Sequence, residues 1–279
     1  MRRVTSPPRA LAVALFLLAT LASARSAAAV SVSPAALYMD QRTRSGVLTV
    51  TNPGALPVEI EVSFAFGYPQ SDEAGVVGVP LLRVAPAGEP SAMEWLRAFP
   101  RRLVLEPGQS QAVRVLIQPP AELLDGEYWA RVLVTARGGQ PPIEEQRGNI
   151  RVLLDVETVV VTAVTYRKGP VATGLQVTGT TARITDEGAL LLVDVERTGN
   201  AAYLGRIRAE VVGASGRVYG QATEELAVYR RIRRRVLVPL ATAPPEPVTI
   251  RYTVEAERPD LPPEGPLPAP RLTGSVPVS

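Results

Sequence analysis

The sequence predicts an all-β protein built from two β-sandwich domains in tandem. Short stretches that alternate apolar and polar residues recur along the chain, separated by turns drawn from its 27 prolines and 22 glycines. No stretch beyond the first thirty residues has the apolar period of an amphipathic helix. The chain of 279 residues is long enough to form two hydrophobic cores of ordinary size.

The first 29 residues have the features of a secretory signal peptide. Arginines precede an apolar run from Ala10 to Ala22, and the alanines at 27–29 stand where a signal peptidase cleaves. The run has about 13 residues, whereas a helix needs roughly 20 to cross a bilayer. We therefore expect export of the chain and cleavage after Ala29.

The net charge does not indicate a nucleic-acid partner. Of the 30 basic residues, four arginines lie in the predicted signal peptide, which contains no acidic residue. The remainder therefore has 26 basic and 27 acidic residues, so the basic isoelectric point belongs to the leader.

The absence of histidine and cysteine limits the possible chemistry. Without these residues the chain lacks the commonest general base, any thiol nucleophile, any disulfide and the commonest transition-metal ligands. We predict no catalytic residue, no metal site, no cofactor and no small-molecule substrate, and therefore a protein that is not an enzyme.

The first domain is expected to span residues 30–164. Pro34 interrupts its opening strand, as is common at the edge of a sheet. The alternating stretches that follow predict strands at Gly46–Asn52, Val58–Phe66, Leu103–Leu105, Gln111–Gln118 and Glu127–Ala136.

The organising stretch of this domain runs from Asn149 to Val164. Its even positions carry branched apolar residues and its charged residues fall on odd positions, which is the pattern of a strand with one apolar face. Sixteen residues exceed the usual strand length of about five or six. We therefore expect part of this strand to pair with another polypeptide.

The second domain is expected at residues 165–258, with a hinge near Thr165 to Pro170. Its predicted strands are Leu175–Val177, Thr181–Thr185, Leu190–Arg197, Gly205–Val212, Val218–Leu226, Arg234–Leu240 and Val248–Glu257. Residues 259–279 begin with six prolines in twelve residues, which predicts an extended, disordered tail.

Several motifs of the first domain resemble those of the periplasmic, PapD-like chaperones of the chaperone–usher pilus pathway. These motifs are the opening Val-Ser-Val-Ser-Pro at 30–34, Leu-Thr-Val-Thr-Asn at 48–52, Leu-Glu-Pro-Gly-Gln-Ser-Gln-Ala-Val-Arg at 105–114, and Tyr128 before the long strand. The resemblance implies two immunoglobulin-like β-sandwich domains and a periplasmic location. It also implies that the last strand of the first domain is lent to an incomplete pilin.

Strand donation would place alternating apolar residues of the long strand in pockets of a client subunit. The predicted client-binding residues are Ile150, Val152, Leu154 and Val156. A core row and a donor row look the same in one dimension, so packing in the domain's own core is the alternative for each of them.

The resemblance also implies a basic pair that holds the client's terminal carboxylate. That pair is an arginine on the first strand and a lysine near the end of the long strand, and neither base stands at 34–37 or 155–158. A displaced anchor formed from Arg42, Arg44 and Arg151 is one possibility, and solvated surface arginines are the other.

A dense run of arginines at 230–235 is the remaining charged feature. On a strand, Arg231, Arg233 and Arg235 would form one row, suited to an acidic partner or an assembly platform. The alternative is a solvated strand edge that its charge protects from aggregation.

Together these patterns predict an exported chaperone for secreted pilin-like or coat-like subunits, with an outer-membrane usher as a further partner. Fimbrium biogenesis and cell wall organisation would then be the processes that it serves. The alternative is a structural or adhesive immunoglobulin-like envelope protein whose strands are all internal.

Overall fold

The computed structural model describes residues 30–139, 143–147, 150–154 and 156–278, and only the backbone at 143–147 and 150–154. The predicted signal peptide lies outside the described residues, as do Asn149 and Asp155.

In the first domain, the strands are β1 (Ser31–Ser33), β2 (Ala36–Asp40), β3 (Ser45–Thr51), β4 (Val58–Ala65), β5 (Gln70–Ser71), β6 (Val77–Gly78), β7 (Leu96–Phe99), β8 (Arg102–Leu105), β9 (Ser110–Ile117), β10 (Gly126–Gly138), β11 (Ile143–Arg147), β12 (Ile150–Leu154) and β13 (Glu157–Lys168). A turn of 3₁₀ helix, Met93–Trp95, precedes β7.

The first domain is a sandwich of two sheets. One sheet has the strand order β1-β3-β9-β7 and the other has the order β2-β13-β10-β4-β8. The opening strand changes sheets at Pro34 and Ala35: β1 pairs with β3, and β2 pairs in parallel with β13. Alternate residues of both sheets, among them Leu48, Val113 and Val132, are fully buried between them.

The second domain repeats this architecture. Its strands are β14 (Thr173–Thr185), β15 (Gly188–Gly199), β16 (Tyr203–Gly213), β17 (Val218–Val228), β18 (Arg231–Val238), β19 (Val248–Glu255) and β20 (Leu272–Pro277). They form sheets of order β14-β15-β18 and β17-β16-β19-β20. The predicted all-β fold of two immunoglobulin-like β-sandwich domains in tandem is confirmed.

The long strand predicted at 149–164 is wrong in its continuity and in its end. The structure has two strands instead, because the register of the hairpin changes: Arg137 faces Glu157, whereas Ile143 faces Leu154. Five residues lie between Arg137 and Ile143 on the first arm of the hairpin, and two lie between Leu154 and Glu157 on the second. The longer arm contains Gly138 and Gly139, both with left-handed backbone angles (φ 79° and 80°), which only glycine adopts readily. β13 then continues to Lys168, beyond the expected domain boundary at 164.

The tail predicted to be disordered also differs from the structure. Leu272–Pro277 forms β20 and pairs with β19. Leu272 and Val276 alternate with polar residues and pack against the second core, which is the usual pattern of an edge strand. Gly274 faces Tyr252 so closely that a Cβ there would lie 2.3 Å from the ring, so the pairing requires glycine at that position.

Candidate functional site

The first half of β13 has an open edge. β10 pairs with β13 over its whole length, whereas β2 covers only residues 163–167 on the other side. Within the described part of the chain, no strand pairs with residues 157–162 on that side. An edge of this kind presents a row of unpaired backbone groups to another strand.

The hydrogen bond at the end of the open edge defines which residues face it. The Ala163 N–H donates to the Ala35 carbonyl at 3.2 Å, so the backbone groups of Ala163 point toward β2. Backbone direction alternates along a strand, so the N–H and C=O groups of Glu157, Val159 and Val161 point to the same, uncovered side. The even-numbered residues between them pair with β10.

The side chains on this edge are apolar and exposed. Val159 and Val161 are each 41% exposed, on the outer face of the sheet. The neighbouring even positions face inward: Val160 packs against the core and Val164 is buried in it. The exposed row of β13 is therefore odd-numbered, and the even-numbered row belongs to the core.

The predicted client-binding residues lie just before this edge. Val156 is 48% exposed. For Ile150, Val152 and Leu154 the backbone is described, in a two-stranded sheet of β11 and β12 with no third strand among the described residues. Their side chains, like that of Arg151, lie outside what the structure describes.

The predicted anchor residues are only partly brought together. Arg42 is exposed and lines a cavity of about 490 Å³ at the ends of β2 and β13, together with Asp40 and Arg167. Arg44 is not among the residues that line this cavity. Its Nε donates to the Gln41 carbonyl at 3.4 Å.

Arg167 is the functional candidate that the sequence reasoning missed. Its Nε donates to Glu127 Oε2 at 2.9 Å, and its side chain is 13% exposed. The guanidinium also lies 5.3 Å from the ring centre of Tyr38. A base near the end of the long strand is therefore present, because that strand ends at Lys168. In the sequence, the basic pair Arg167 and Lys168 followed by Gly169 indicates the end of a strand that carries a base.

Glu127 links Arg167 to the second domain. It is 3% exposed, and its Oε1 accepts hydrogen bonds from Trp129 Nε1 at 2.7 Å and from the Ala202 N–H at 3.1 Å. These three donors satisfy a carboxylate that has almost no contact with water. The arrangement holds the end of β13 and the start of β16 in one position.

An aromatic cluster seals the same interface. Tyr229 of the second domain stacks on Tyr68 (centroids 5.7 Å apart) and meets the edge of Trp129 (4.7 Å). Phe66 and Leu204 are buried beside them. The two domains therefore share a third, smaller core, with contacts worth about 0.5–1.5 kcal/mol per aromatic pair beyond the buried area.

The arginine run at 230–235 is largely engaged within the molecule. Arg233 forms two hydrogen bonds to Asp194, at 2.7 and 2.9 Å, and lowers the pKa of that carboxyl. Arg234 binds Glu224, and Arg235 binds Glu187 at 3.0 Å. Arg230 pairs with Glu89 of the first domain at 3.0 Å. These contacts favour a structural role for the run over a docking surface for an acidic partner.

Buried tyrosines predict a loss of stability in alkali. Burial raises the pKa of Tyr229 and of Tyr38, and raises the pKa of Tyr203 to about 12. In the unfolded chain these groups ionise near pH 10. Stability should therefore be complete below about pH 10 and fall as the pH rises toward 12. Thermal unfolding and tyrosinate absorbance, followed together across this range, check the prediction; an unchanged midpoint would contradict it.

Among the described residues, no group of three or more acidic side chains is placed to hold a metal ion. In the same part of the chain, no helix is long and apolar enough to cross a membrane.

Similar proteins are found among solved structures. No family model and no curated protein matches the chain. Among solved structures, it is similar to the CupB2 chaperone of Pseudomonas aeruginosa (12% identity, TM-score 0.42, covering 89% of this chain and 100% of that one). It is also similar to the CsuC–CsuE chaperone–adhesion subunit complex of Acinetobacter baumannii (9%, 0.44, 90% and 98%). A third is the Salmonella enterica SafA pilin in complex with the SafB chaperone (14%, 0.41, 81% and 88%). At these identities the similarity concerns the fold.

Proposed function

We propose that the protein is an exported, non-enzymatic chaperone that binds secreted pilin-like or coat-like subunits by pairing its open β13 edge with one of their strands. The observation that carries the proposal is the uncovered backbone at residues 157–162, flanked by exposed valines. A long apolar edge promotes aggregation unless something covers it. A client strand would supply hydrogen bonds along the edge and apolar contacts beside it.

The client strand is proposed to continue past β13 onto the β11–β12 hairpin. Ile150, Val152, Leu154 and Val156 would then contact the client together with the valines of β13. This assignment follows from the apolar alternation of 150–156 and from the exposure of Val156. It extends the paired length beyond the six residues of the open edge.

We further propose that Arg42 and Arg167 form the site for a client carboxylate. Both line the cavity where β2 and β13 end, beyond the stretch of β13 that β2 covers. Guanidinium groups bind carboxylates through paired hydrogen bonds. Arg44 does not line this cavity, and the side chain of Arg151 lies outside what the structure describes.

Export to the periplasm and delivery of clients to an outer-membrane usher complete the proposal. The exported location depends on residues 1–29, whose composition is that of a signal peptide. No cofactor, nucleotide or nucleic acid takes part in this mechanism, because strand pairing needs only backbone groups and apolar side chains.

Co-purification tests the proposal. The tagged protein, isolated from the cell envelope after co-expression with neighbouring genes for secreted proteins, should carry a stoichiometric small β-rich subunit that mass spectrometry identifies. Cross-links from that subunit should map to residues 150–161. A protein isolated without any such subunit would favour the structural or adhesive alternative.

A further inference from the structure

The C-terminal part of the chain crosses back over the first domain. Between β19 and β20, residues 258–265 form a segment that we call the strap. Two turns shape it: the Leu261 N–H donates to the Arg258 carbonyl at 3.1 Å, and the Gly265 N–H donates to the Pro262 carbonyl at 2.8 Å. Leu261 packs against the aromatic cluster between the domains. The strap is thus an ordered part of the interface.

The strap is fixed at its start by charge. The Arg258 side chain is only 10% exposed and pairs with Asp260 at 2.6 Å and with Glu225 at 3.1 Å. Both carboxylates are more exposed than Arg258 itself. These pairs hold the first turn of the strap against β17 of the second domain, and leave its far end to contact the first domain.

The far end of the strap accepts hydrogen bonds from Arg167. The Nη1 of Arg167 donates to the Glu264 carbonyl at 2.5 Å, and Nη2 donates to the Gly265 carbonyl at 2.6 Å. Gly265 also lies against Tyr38, where a Cβ would be 2.6 Å from the hydroxyl oxygen. The close approach therefore depends on glycine.

Two carbonyl oxygens side by side at Nη1 and Nη2 take the positions that the two oxygens of a carboxylate would take in a bidentate pair. Glu127 occupies Nε of the same guanidinium at 2.9 Å. A carboxylate can reach the terminal nitrogens of Arg167 only where the strap leaves them. The strap and an incoming carboxylate are therefore mutually exclusive ligands of one side chain.

We infer that the strap is a built-in competitor that keeps the carboxylate site of Arg167 closed until a client strand displaces it. This inference rests on the proposed function, because it assigns a regulation to the same site. Only molecules with the strap released could bind the carboxylate. The apparent affinity would therefore be the intrinsic affinity multiplied by the fraction of such molecules. Clients that pair well with the β13 edge would overcome that cost, and free carboxylates would not.

Gly265→Val tests the inference, because the added side chain would collide with Tyr38 and displace the strap. The matched control is Gly78→Val, where a Cβ meets nothing within 4 Å. The probes are a short synthetic strand peptide of alternating valine and threonine with a free C-terminal carboxylate, and the same peptide with a C-terminal amide. The expected result is affinity for the free-carboxylate peptide raised about tenfold in Gly265→Val alone, with the affinity for the amide unchanged.

A second measurement uses the unaltered chain and does not depend on how the variant folds. Hydrogen exchange at the amides of Leu261 and Gly265 should accelerate when the free-carboxylate peptide binds, because both donate within the strap. Equal peptide affinity in the wild type and Gly265→Val, with no acceleration of exchange, would overturn the strap inference and leave strand capture standing. Absence of peptide binding to any of the proteins, together with no co-purified subunit, would overturn both.

Discussion

Glu127→Ala is expected to lower the free energy of unfolding by about 3–5 kcal/mol, because it leaves a largely buried charge without its partner. Arg167 would lose its only side-chain carboxylate contact within the described structure. The indole N–H of Trp129 and the backbone N–H of Ala202 would lose their acceptor at the same time. Since Ala202 belongs to the second domain, the loss should also loosen the interface between the domains.

Urea unfolding followed by tryptophan fluorescence measures this effect, because Trp129 lies in the interface. Glu127→Gln is the informative second variant: it keeps an acceptor of similar shape and removes only the charge, so its effect should be intermediate. Glu122→Ala, at an exposed position, is the control and should stay within about 0.5 kcal/mol of the wild type. If Glu127→Ala changed the free energy of unfolding as little as the Glu122→Ala control, the hydrogen bonds of Glu127 would not hold the domains together.

Val159→Pro should reduce client binding at least tenfold while the first domain stays folded. Proline lacks the N–H that Val159 points toward the open edge, and its ring would stand where a client strand approaches. Loss of about 1.4 kcal/mol corresponds to a factor of ten in affinity. The ladder between β13 and β10 uses the even-numbered neighbours, so the sandwich loses no internal hydrogen bond at this position.

Val159→Thr is the matched control, since it keeps both the N–H and the branched side chain and should bind clients nearly as well as the wild type. Thermal unfolding should show that Val159→Pro is folded. The binding measurement itself is a titration with the subunit that co-purifies. A folded Val159→Pro protein with wild-type affinity would show that this edge does not bind the client.

Much of the fold follows from alternation. The strands around Leu48, Val113 and Val132 have one apolar face, and each packs in the predicted sandwich. The break in the long strand was harder to predict, because apolar alternation is similar on both sides of it. The break instead depends on the extra residues of the opposite arm, which contains Gly138 and Gly139.

The exposed row of β13 shows the limit of one-dimensional patterns. Val159, Val160 and Val161 are consecutive and identical, so the sequence does not distinguish the inward face from the outward one. The distinction comes from Ala163, whose N–H donates to the Ala35 carbonyl and therefore points toward β2. The other odd-numbered residues of β13 point their backbone groups to the same side. Only the three-dimensional pairing identifies the open residues.

Arg167 and Glu127 were missed for a related reason. They lie 40 residues apart, and the strap carbonyls that occupy Arg167 lie 97 and 98 residues further along the chain. Contacts at such separations leave no local pattern. The basic pair before Gly169 marked the end of a strand, but its partners depend on how both domains and the C-terminal segment pack.

The most direct test of strand capture is residue-resolved hydrogen exchange across β13, with and without the co-purified subunit. In the free protein, the amides of Thr158, Val160 and Thr162 should exchange slowly because they bond to β10, and those of Val159 and Val161 should exchange quickly. Binding of the subunit should protect the two valine amides and leave the even-numbered ones unchanged. Unprotected Val159 and Val161 amides in a saturated complex would contradict pairing at this edge.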